Sequence, residues 1–86
     1  MVRQRITITN PTGLHMRPAA VFAQEMGKYK CDVHLRYNGA RVNAKSLLSI
    51  IAAVIKCGAE VNIECDGEDE LEAINKAIEL IEGFTE

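Results

Sequence analysis

The stretch that most constrains the fold of this chain is CDVHLRYNGARVNA, residues 31–44. Two runs of alternating apolar and polar residues flank Asn38-Gly39, the strongest short-range signal for a two-residue β-hairpin. Pairing Tyr37 with Ala40 directs the apolar residues of both runs to one face. Because a slip of one residue would mix the two faces, the pattern predicts a hairpin with a single register.

The rest of the chain shows strand-like and helix-like periods in turn. The predicted segments are a strand over about residues 2–9, a helix over about 16–26, the hairpin over 31–44, a helix from 46, a strand over 59–66 and a helix from about 69. Each strand has one polar face, which is typical of an antiparallel sheet that is solvated on one side. The sequence therefore predicts a two-layer α+β sandwich in one domain, with three helices covering a four-stranded sheet.

The last helix has explicit start and stop residues. Asp69 is placed to cap its first turn and Glu72 to reach back to the same turn. Gly83 is placed to end it. The predicted buried stripe consists of Leu71, Ile74, Ile78 and Ile81.

Composition excludes several classes of protein. The three cysteines, Cys31, Cys57 and Cys65, form no CxxC pair, so we expect reduced packing residues and neither a disulfide framework nor a metal site. No apolar run reaches the roughly 20 residues of a membrane span. The first nine residues alternate like a strand and do not resemble a signal peptide. We expect a cytoplasmic protein without a cofactor.

Charge is distributed unevenly along the 86 residues. Residues 1–45 contain eight Lys or Arg and two Asp or Glu, whereas residues 46–86 contain two and ten. Such asymmetry indicates charged partners, and the basic half favours an acidic partner or an anionic group. Nucleic acid fits poorly, because the basic residues are scattered singly and only four aromatic residues are present.

The stretch NPTGLHMRPAAVF, from residue 10, places His15 between a glycine loop and a helix. Pro18 is tolerated only in the first turn of a helix, which indicates that the helix begins at His15 or Met16. The amide groups of that turn form an anion site, and Arg17 adds a planar donor that suits phosphate oxygens. With no carboxylate nearby in the sequence, His15 resembles a nucleophile that receives an anionic group.

Alternatives to this interpretation remain. A lone loop histidine followed by arginine is often merely solvated. His34, the other histidine, alternates with Asp32 and Arg36 on a polar strand face, and we expect it to be solvated. A hydrolytic use of His15 lacks a second acid–base group or a metal cluster in the sequence.

The helix that follows Ser46 has no charged residue up to Ile55. Because a surface helix normally has a charged face, this helix is either covered on all sides or presents a docking patch, and the small chain favours docking. The sequence supports two hypotheses for Ser46. This residue can serve as a helix N-cap, or it can be a phosphorylation site whose charge would alter the patch.

These features together resemble the HPr family, the histidine-containing phosphocarriers of the bacterial phosphoenolpyruvate-dependent sugar phosphotransferase system. The resemblance covers nearly the whole chain. It is carried by GLHMRPAA at 13–20, YNGARVNAKS at 37–46 and KCGAEVNIECDGEDELEA at 56–73. It implies an open-faced β-sandwich of βαββαβα order, a monomer, and a carrier that is not an enzyme.

The resemblance also implies roles for particular residues. His15 matches the histidine that takes a phosphoryl group from phospho-enzyme I and passes it to an A component of an enzyme II permease. Arg17 matches the residue that contacts the phosphoryl group, and Ser46 matches a serine that an HPr kinase/phosphorylase modifies. A transcriptional regulator is a further possible partner. The implied partner-binding residues are Met16, Ala20, Gln24, Leu47, Leu48 and Ile51.

The sequence departs from the family pattern near both motifs. Met16 replaces the usual alanine or threonine, and Ser49 and Val54 stand where glycine is common. Val54 therefore predicts a longer second helix than the family has. Two alternatives stay open: the nitrogen-regulatory branch of the family, and a regulatory module that acts through Ser46 and the uncharged helix.

Overall fold

The chain forms four strands and three helices in the predicted order. A computed structural model describes residues 1–85. The elements are β1 (Val2–Thr7), α1 (Met16–Met26), β2 (Asp32–Tyr37), β3 (Ala40–Asn43), α2 (Leu47–Ala52), β4 (Glu60–Asp66) and α3 (Glu70–Gly83). The βαββαβα order and the bounds of α1 are confirmed.

The strands form one antiparallel sheet in the order β1-β4-β2-β3. The predicted hairpin is confirmed: Tyr37 pairs with Ala40, and the turn residues Asn38 and Gly39 have φ of 55° and 82°. Positive φ at both turn positions matches the right-handed twist of the flanking strands. The three helices lie over one face of the sheet and leave the other face open, so the predicted open-faced sandwich is confirmed.

The core lies between the sheet and the helices. In β2 and β4 the apolar residues of one phase are buried, as the alternation predicts, whereas Val2 and Ile6 of β1 are only half-buried. Among the most deeply buried core residues are Val33 and Leu35 of β2, Val61 and Ile63 of β4, Phe22 and Met26 of α1, Ile50 of α2 and Ile81 of α3. This single cluster holds the first turn of α1 and the start of α2 against the sheet, which positions the candidate site.

The start of α3 differs from the sequence prediction. Asp69 occupies the N-cap position, but its side chain does not cap the helix. Instead its carboxylate accepts hydrogen bonds from the backbone amides of Lys30, at 2.8 Å, and Cys31, at 2.9 Å. Glu70, rather than Glu72, reaches back, accepting a bond from the Gly67 amide at 3.1 Å. The local capping box is wrong because a tertiary contact uses the Asp69 carboxylate.

Three of the four residues predicted for the buried stripe of α3 face the core, since Ile74 and Ile81 are buried and Ile78 is half-buried, and only Leu71 was placed wrongly. Leu71 is 65% exposed, whereas Ala73 and Ala77 are fully buried beside Ile74 and Ile81. The helix can approach the sheet closely where its residues are small, and this rotates Leu71 toward solvent. The prediction that α3 ends at Gly83 is confirmed.

Helix α2 is short, contrary to the expectation drawn from Val54. It ends at Ala52, and Val54 has a φ of 53°, in the left-handed region that a β-branched residue rarely adopts. The chain turns here because Ile55 is drawn into the core, where it is 2% exposed. Burial of Ile55 thus overrides the helical preference of the segment.

The three cysteines are free thiols. Cys31 and Cys65 are buried in the core as predicted, and burial raises the pKa of Cys65 to about 12. Cys57 is exposed, so its assignment as a packing residue was wrong.

Candidate functional site

The loop that precedes α1 is a tight turn closed by Asn10. The Asn10 side-chain amide donates to the Gly13 carbonyl at 2.7 Å, and the Gly13 amide donates to the Asn10 carbonyl at 3.0 Å. Gly13 has a φ of 65°, which glycine adopts without strain. The sequence NPTG therefore forms the turn that its composition predicts.

This turn is seated on the segment that follows α2. The Leu14 amide donates to the Ile55 carbonyl at 2.9 Å, and Leu14 is buried. A β-carbon at Gly13 would lie 2.8 Å from the α-carbon of Lys56, so only glycine allows this approach. The contact brings the residue after Leu14, which is His15, next to the end of α2.

His15 is the N-cap residue of α1. Its backbone is extended, with φ −85° and ψ −169°, and its carbonyl accepts the Ala19 amide at 2.8 Å. The imidazole is exposed and makes no side-chain capping bond within residues 1–85. Met16 and Arg17 occupy the first two helical positions, and the backbone amides of these positions have no acceptor within the helix. Pro18, at the third position, has no amide hydrogen to add. The positive end of the α1 dipole therefore lies at His15.

His15 borders an open cavity of about 410 Å³ between the loop and α2. The cavity is lined by Thr12, Leu14, His15, Ile51, Val54, Ile55 and Lys56. The structure thus brings His15 and Ile51 together, although 36 positions separate them in the sequence. Lys56 supplies a positive charge to this lining, and Met16, the residue after His15, is 60% exposed.

Arg17 borders a different depression from His15. This second cavity, of about 160 Å³, is lined by Arg17, Pro18, Val21, Gly83, Phe84 and Thr85. It lies where α1 meets the end of α3. Arg17 is therefore close to His15 along the helix, but its side chain borders the neighbouring surface.

The predicted docking residues lie on α1 and α2, which pack side by side. Leu48 is 79% exposed, so the outer face of α2 is uncovered in the described chain. Leu47 and Ile51 are half-buried beside it. On α1, Gln24 is exposed and Ala20 is half-buried. Ile51 and Val54 line the His15 cavity, and these two residues, together with Met16 and Leu48, are called the apolar surface below.

Ser46 caps α2, as the N-cap hypothesis predicts. Its hydroxyl oxygen accepts a hydrogen bond from the Ser49 amide at 3.3 Å, and the residue is half-buried. This bond satisfies one of the amides left open at the helix start.

Sequence reasoning did not include Thr12 and Lys56 in the site. Thr12 enters it through the local turn closed by Asn10, and Lys56 enters it through its tertiary approach to Gly13. The only signal in the sequence was the glycine before Leu-His, which indicates a close backbone approach without naming the partner segment.

Residues 1–85 lack two further features. No helix there is long and apolar enough to cross a membrane. In the same part of the chain, no three His, Cys, Asp or Glu side chains are grouped so that they could hold a metal ion.

Comparison with known proteins gives the class of this chain. The family model described as the PTS HPr component phosphorylation site matches residues 2–83. The chain therefore belongs to the HPr family of phosphocarrier proteins.

Similar proteins include HPr proteins and the HPr-like protein Crh. The HPr-like protein Crh of Bacillus subtilis is 42% identical over 76 residues, which are 88% of this chain and 89% of Crh. The crystal structure of HPr-C-His from Thermoanaerobacter tengcongensis has a TM-score of 0.93 at 39% identity, covering 95% of this chain and 92% of that one. A Crh crystal structure described as a swapped dimer has a TM-score of 0.77 at 39% identity, covering 95% and 94%.

Proposed function

We propose that this protein carries a phosphoryl group on a ring nitrogen of His15. Phospho-enzyme I is the donor, and an A component of a sugar-specific enzyme II permease is the acceptor. The observation that carries the proposal is the position of His15: exposed, at the open N-terminus of the 11-residue helix α1, and bordering a cavity. The whole chain acts as one carrier domain.

The chemistry needs no metal or cofactor. A lone pair on the His15 ring attacks the phosphorus of the donor phosphohistidine, and the donor nitrogen leaves with the electron pair of the broken N–P bond. The onward step repeats this exchange with the acceptor histidine. The first-turn amides of α1 lie where they can stabilise the charge on the transferred group.

Arg17 is proposed to hold the phosphoryl oxygens. It lies two residues after His15 in the first turn of α1, and its planar guanidinium can bind two oxygens at once. Its side chain borders the neighbouring depression. The proposed contact requires the Arg17 side chain to turn from that depression toward His15.

The apolar surface around the cavity is proposed to bind the partners. Met16, Leu48 and Val54 are each more than half exposed, and burying such side chains favours association. Lys56 would face an acidic group of the partner. We infer that the protein works as a monomer, because the same surface has to bind first the donor and then the acceptor. We also infer that it works in the cytoplasm, where its free cysteines stay reduced.

Labelling with phosphoenolpyruvate and enzyme I tests the proposal. One acid-labile phosphate per chain is expected, and none in His15→Ala. The matched control is His34→Ala, because His34 is half-buried on β2 in the opposite layer and should leave labelling unchanged. Labelling that persists in His15→Ala, or that is absent from the wild-type protein, would refute the assignment.

A regulatory role is the second candidate, and the similarity to Crh favours it. In this role an ATP-dependent HPr kinase/phosphorylase modifies Ser46, and the modified α2 surface binds a transcriptional regulator. Incubation with such a kinase should label the wild type and Ser49→Ala but leave Ser46→Ala unlabelled. If His15→Ala left the protein's effect in the cell unchanged while a charged residue at Leu48 abolished it, the regulatory role would replace phosphotransfer.

The sugar and nitrogen branches of the family are told apart by measuring which of the two enzymes I, that of the sugar branch or that of the nitrogen branch, phosphorylates this protein faster.

A further inference from the structure

The open face of the sheet contains a buried carboxylate. Glu64 lies on β4 between Ile63 and Cys65, which point into the core, so its side chain lies on the face away from the helices. Glu64 is nevertheless only 3% exposed. An alternating strand with one polar face predicts a solvated glutamate here, so neighbouring side chains must cover it.

Three arginines from three different strands cover Glu64. Arg3 of β1 and Arg36 of β2 each place a guanidinium nitrogen 3.0 Å from Oε2 of Glu64. Arg41 of β3 places its Nε 4.0 Å from Oε1. The carboxylate on β4 thus anchors a cluster of arginines that extends across the whole width of the sheet.

The arginine cluster has more positive charge than Glu64 neutralises. Three guanidinium groups face one carboxylate, so the cluster has a local charge of +2. Each arginine side chain is still half exposed, with values of 55%, 50% and 56% for Arg3, Arg36 and Arg41. A guanidinium has five N–H donors, and one carboxylate cannot accept them all. The cluster therefore presents donors and charge to solvent.

The other charged groups on this face reduce that excess by one charge. Arg5 lies 3.6 Å from Glu60, which makes a neutral pair. Asp66 lies 3.6 Å from the chain's amino terminus. Burial, followed by the charge of Arg41, lowers the pKa of His34, so it adds no positive charge at neutral pH. Asp32, exposed at the end of β2, contributes one negative charge, so the face keeps a net charge of +1.

We propose that the arginine cluster on the open sheet face binds an acidic segment of a partner polypeptide. The three guanidiniums converge on the Glu64 carboxylate, within 4.0 Å of its oxygens, from strands that span roughly 14 Å of sheet at about 4.8 Å per strand. Small ligands generally bind in concave sites, whereas clustered donors on an open sheet face suit the carboxylates of a polypeptide chain laid across it. Glu64 holds the guanidiniums in place before binding, which reduces the ordering cost of association.

The proposed surface is independent of phosphotransfer. It lies on the opposite side of the sheet from α1 and α2, so a partner bound there leaves the His15 cavity open. An acidic partner could therefore bind while enzyme I or a permease domain occupies the helical side.

A labelled deca-glutamate peptide tests the proposal by fluorescence anisotropy at low ionic strength, with deca-glutamine as the uncharged control. Arg3→Gln, Arg36→Gln and Arg41→Gln should each weaken binding about twofold to fivefold, and added salt should weaken it further. Lys28→Gln removes the same charge from the helical side, where Lys28 pairs with Glu25, and should leave binding unchanged. Arg36→Lys should bind better than Arg36→Gln.

Folding is checked in parallel, because Glu64 is buried. Arg41→Gln carries the test if Arg36→Gln fails to fold, since Arg41 makes the longest of the three contacts. Phosphorylation of Arg41→Gln by enzyme I should match the wild type, so failure of the two proposals can be told apart.

Several results would overturn the inference. One is that the peptide does not bind, and another is that Lys28→Gln weakens binding as much as Arg41→Gln does. Binding of inorganic pyrophosphate without binding of the peptide would assign the cluster to small anions. A dimer in sedimentation that Arg41→Gln dissociates would assign it to a second copy of the chain.

Discussion

Gly13 and Lys56 meet backbone to backbone, and this contact places the histidine loop beside the end of α2. A β-carbon at Gly13 would lie 2.8 Å from the Lys56 α-carbon, and the φ of Gly13 is 65°. Both the conformation and the contact therefore require glycine. The position of His15 at its cavity depends on this approach together with the hydrogen bond from the Leu14 amide to the Ile55 carbonyl.

We expect Gly13→Ala to lower the free energy of unfolding by about 3 kcal/mol or more, and to slow phosphorylation of His15. Gly39→Ala is the matched control. Gly39 also has positive φ, of 82°, but no atom lies within 4 Å of its added β-carbon. It should lose only about 1–2 kcal/mol and keep full phosphorylation. Urea unfolding measures both, and equal losses would contradict the close approach.

Relief of strain at Val54 should stabilise the protein. Val54 has a φ of 53° and is 59% exposed, so Val54→Gly removes strain and little buried surface. We expect a gain of up to about 1 kcal/mol in the free energy of unfolding. The neighbouring change, Ala53→Gly, should lose about 0.5–1 kcal/mol, because Ala53 has a right-handed conformation. A loss in Val54→Gly as large as that in Ala53→Gly would show that Val54 is not strained.

A charge on α2 should weaken partner binding without unfolding the chain. Leu48→Glu places a carboxylate in the proposed docking surface, and we expect the affinity for enzyme I to fall about tenfold to one hundredfold. Leu71→Glu is the control, since Leu71 is 65% exposed on α3, away from that surface. Calorimetric titration measures the affinity. Similar losses in the two variants would exclude a docking role for Leu48.

Salt and Lys56 should both affect the rate of association with enzyme I. Lys56 lines the His15 cavity, and its charge would steer an acidic partner. We expect the association rate to fall as ionic strength rises, and to fall about twofold in Lys56→Gln at low salt. Lys76→Gln, on α3, should associate at the wild-type rate. Stopped-flow measurements that showed no salt dependence would refute this steering.

The Asp69 carboxylate should make stability depend on pH in acid. Hydrogen bonds from the amides of Lys30 and then Cys31 hold the pKa of Asp69 below its ordinary value of 3.8. A depressed folded pKa means that this contribution is complete above the unfolded pKa and is lost as the pH falls through the folded one. Asp69→Asn should therefore lower the urea midpoint at about pH 7, and the gap should narrow as the pH falls below the ordinary value of 3.8.

The control for this pH effect lies in the same helical turn. Glu72 is exposed and accepts no such backbone bonds among the described residues, so Glu72→Gln should leave the urea midpoint nearly unchanged. A gap between Asp69→Asn and wild type that stays constant with pH would assign the loss to side-chain shape and not to charge.

Much of this fold could be predicted from local sequence patterns, because elements such as the hairpin depend mainly on residues that are close together in the chain. The hairpin register follows from Asn38-Gly39 and the alternation around it, and both are short-range properties. The bounds of α1 follow from Pro18 and Gly27 in the same way. The fold and the family are confirmed, whereas the roles of His15, Arg17 and Ser46 stay predictions.

The sequence by itself determined the elements, their order and which strand faces are apolar. Only the tertiary structure decided how the elements meet. The Asp69 carboxylate binds amides 38 and 39 positions away, the arginines cover Glu64 from three strands, and burial of Ile55 ends α2. Local propensities differ by less than about 1 kcal/mol per residue, so a distant hydrogen bond or a buried side chain outweighs them.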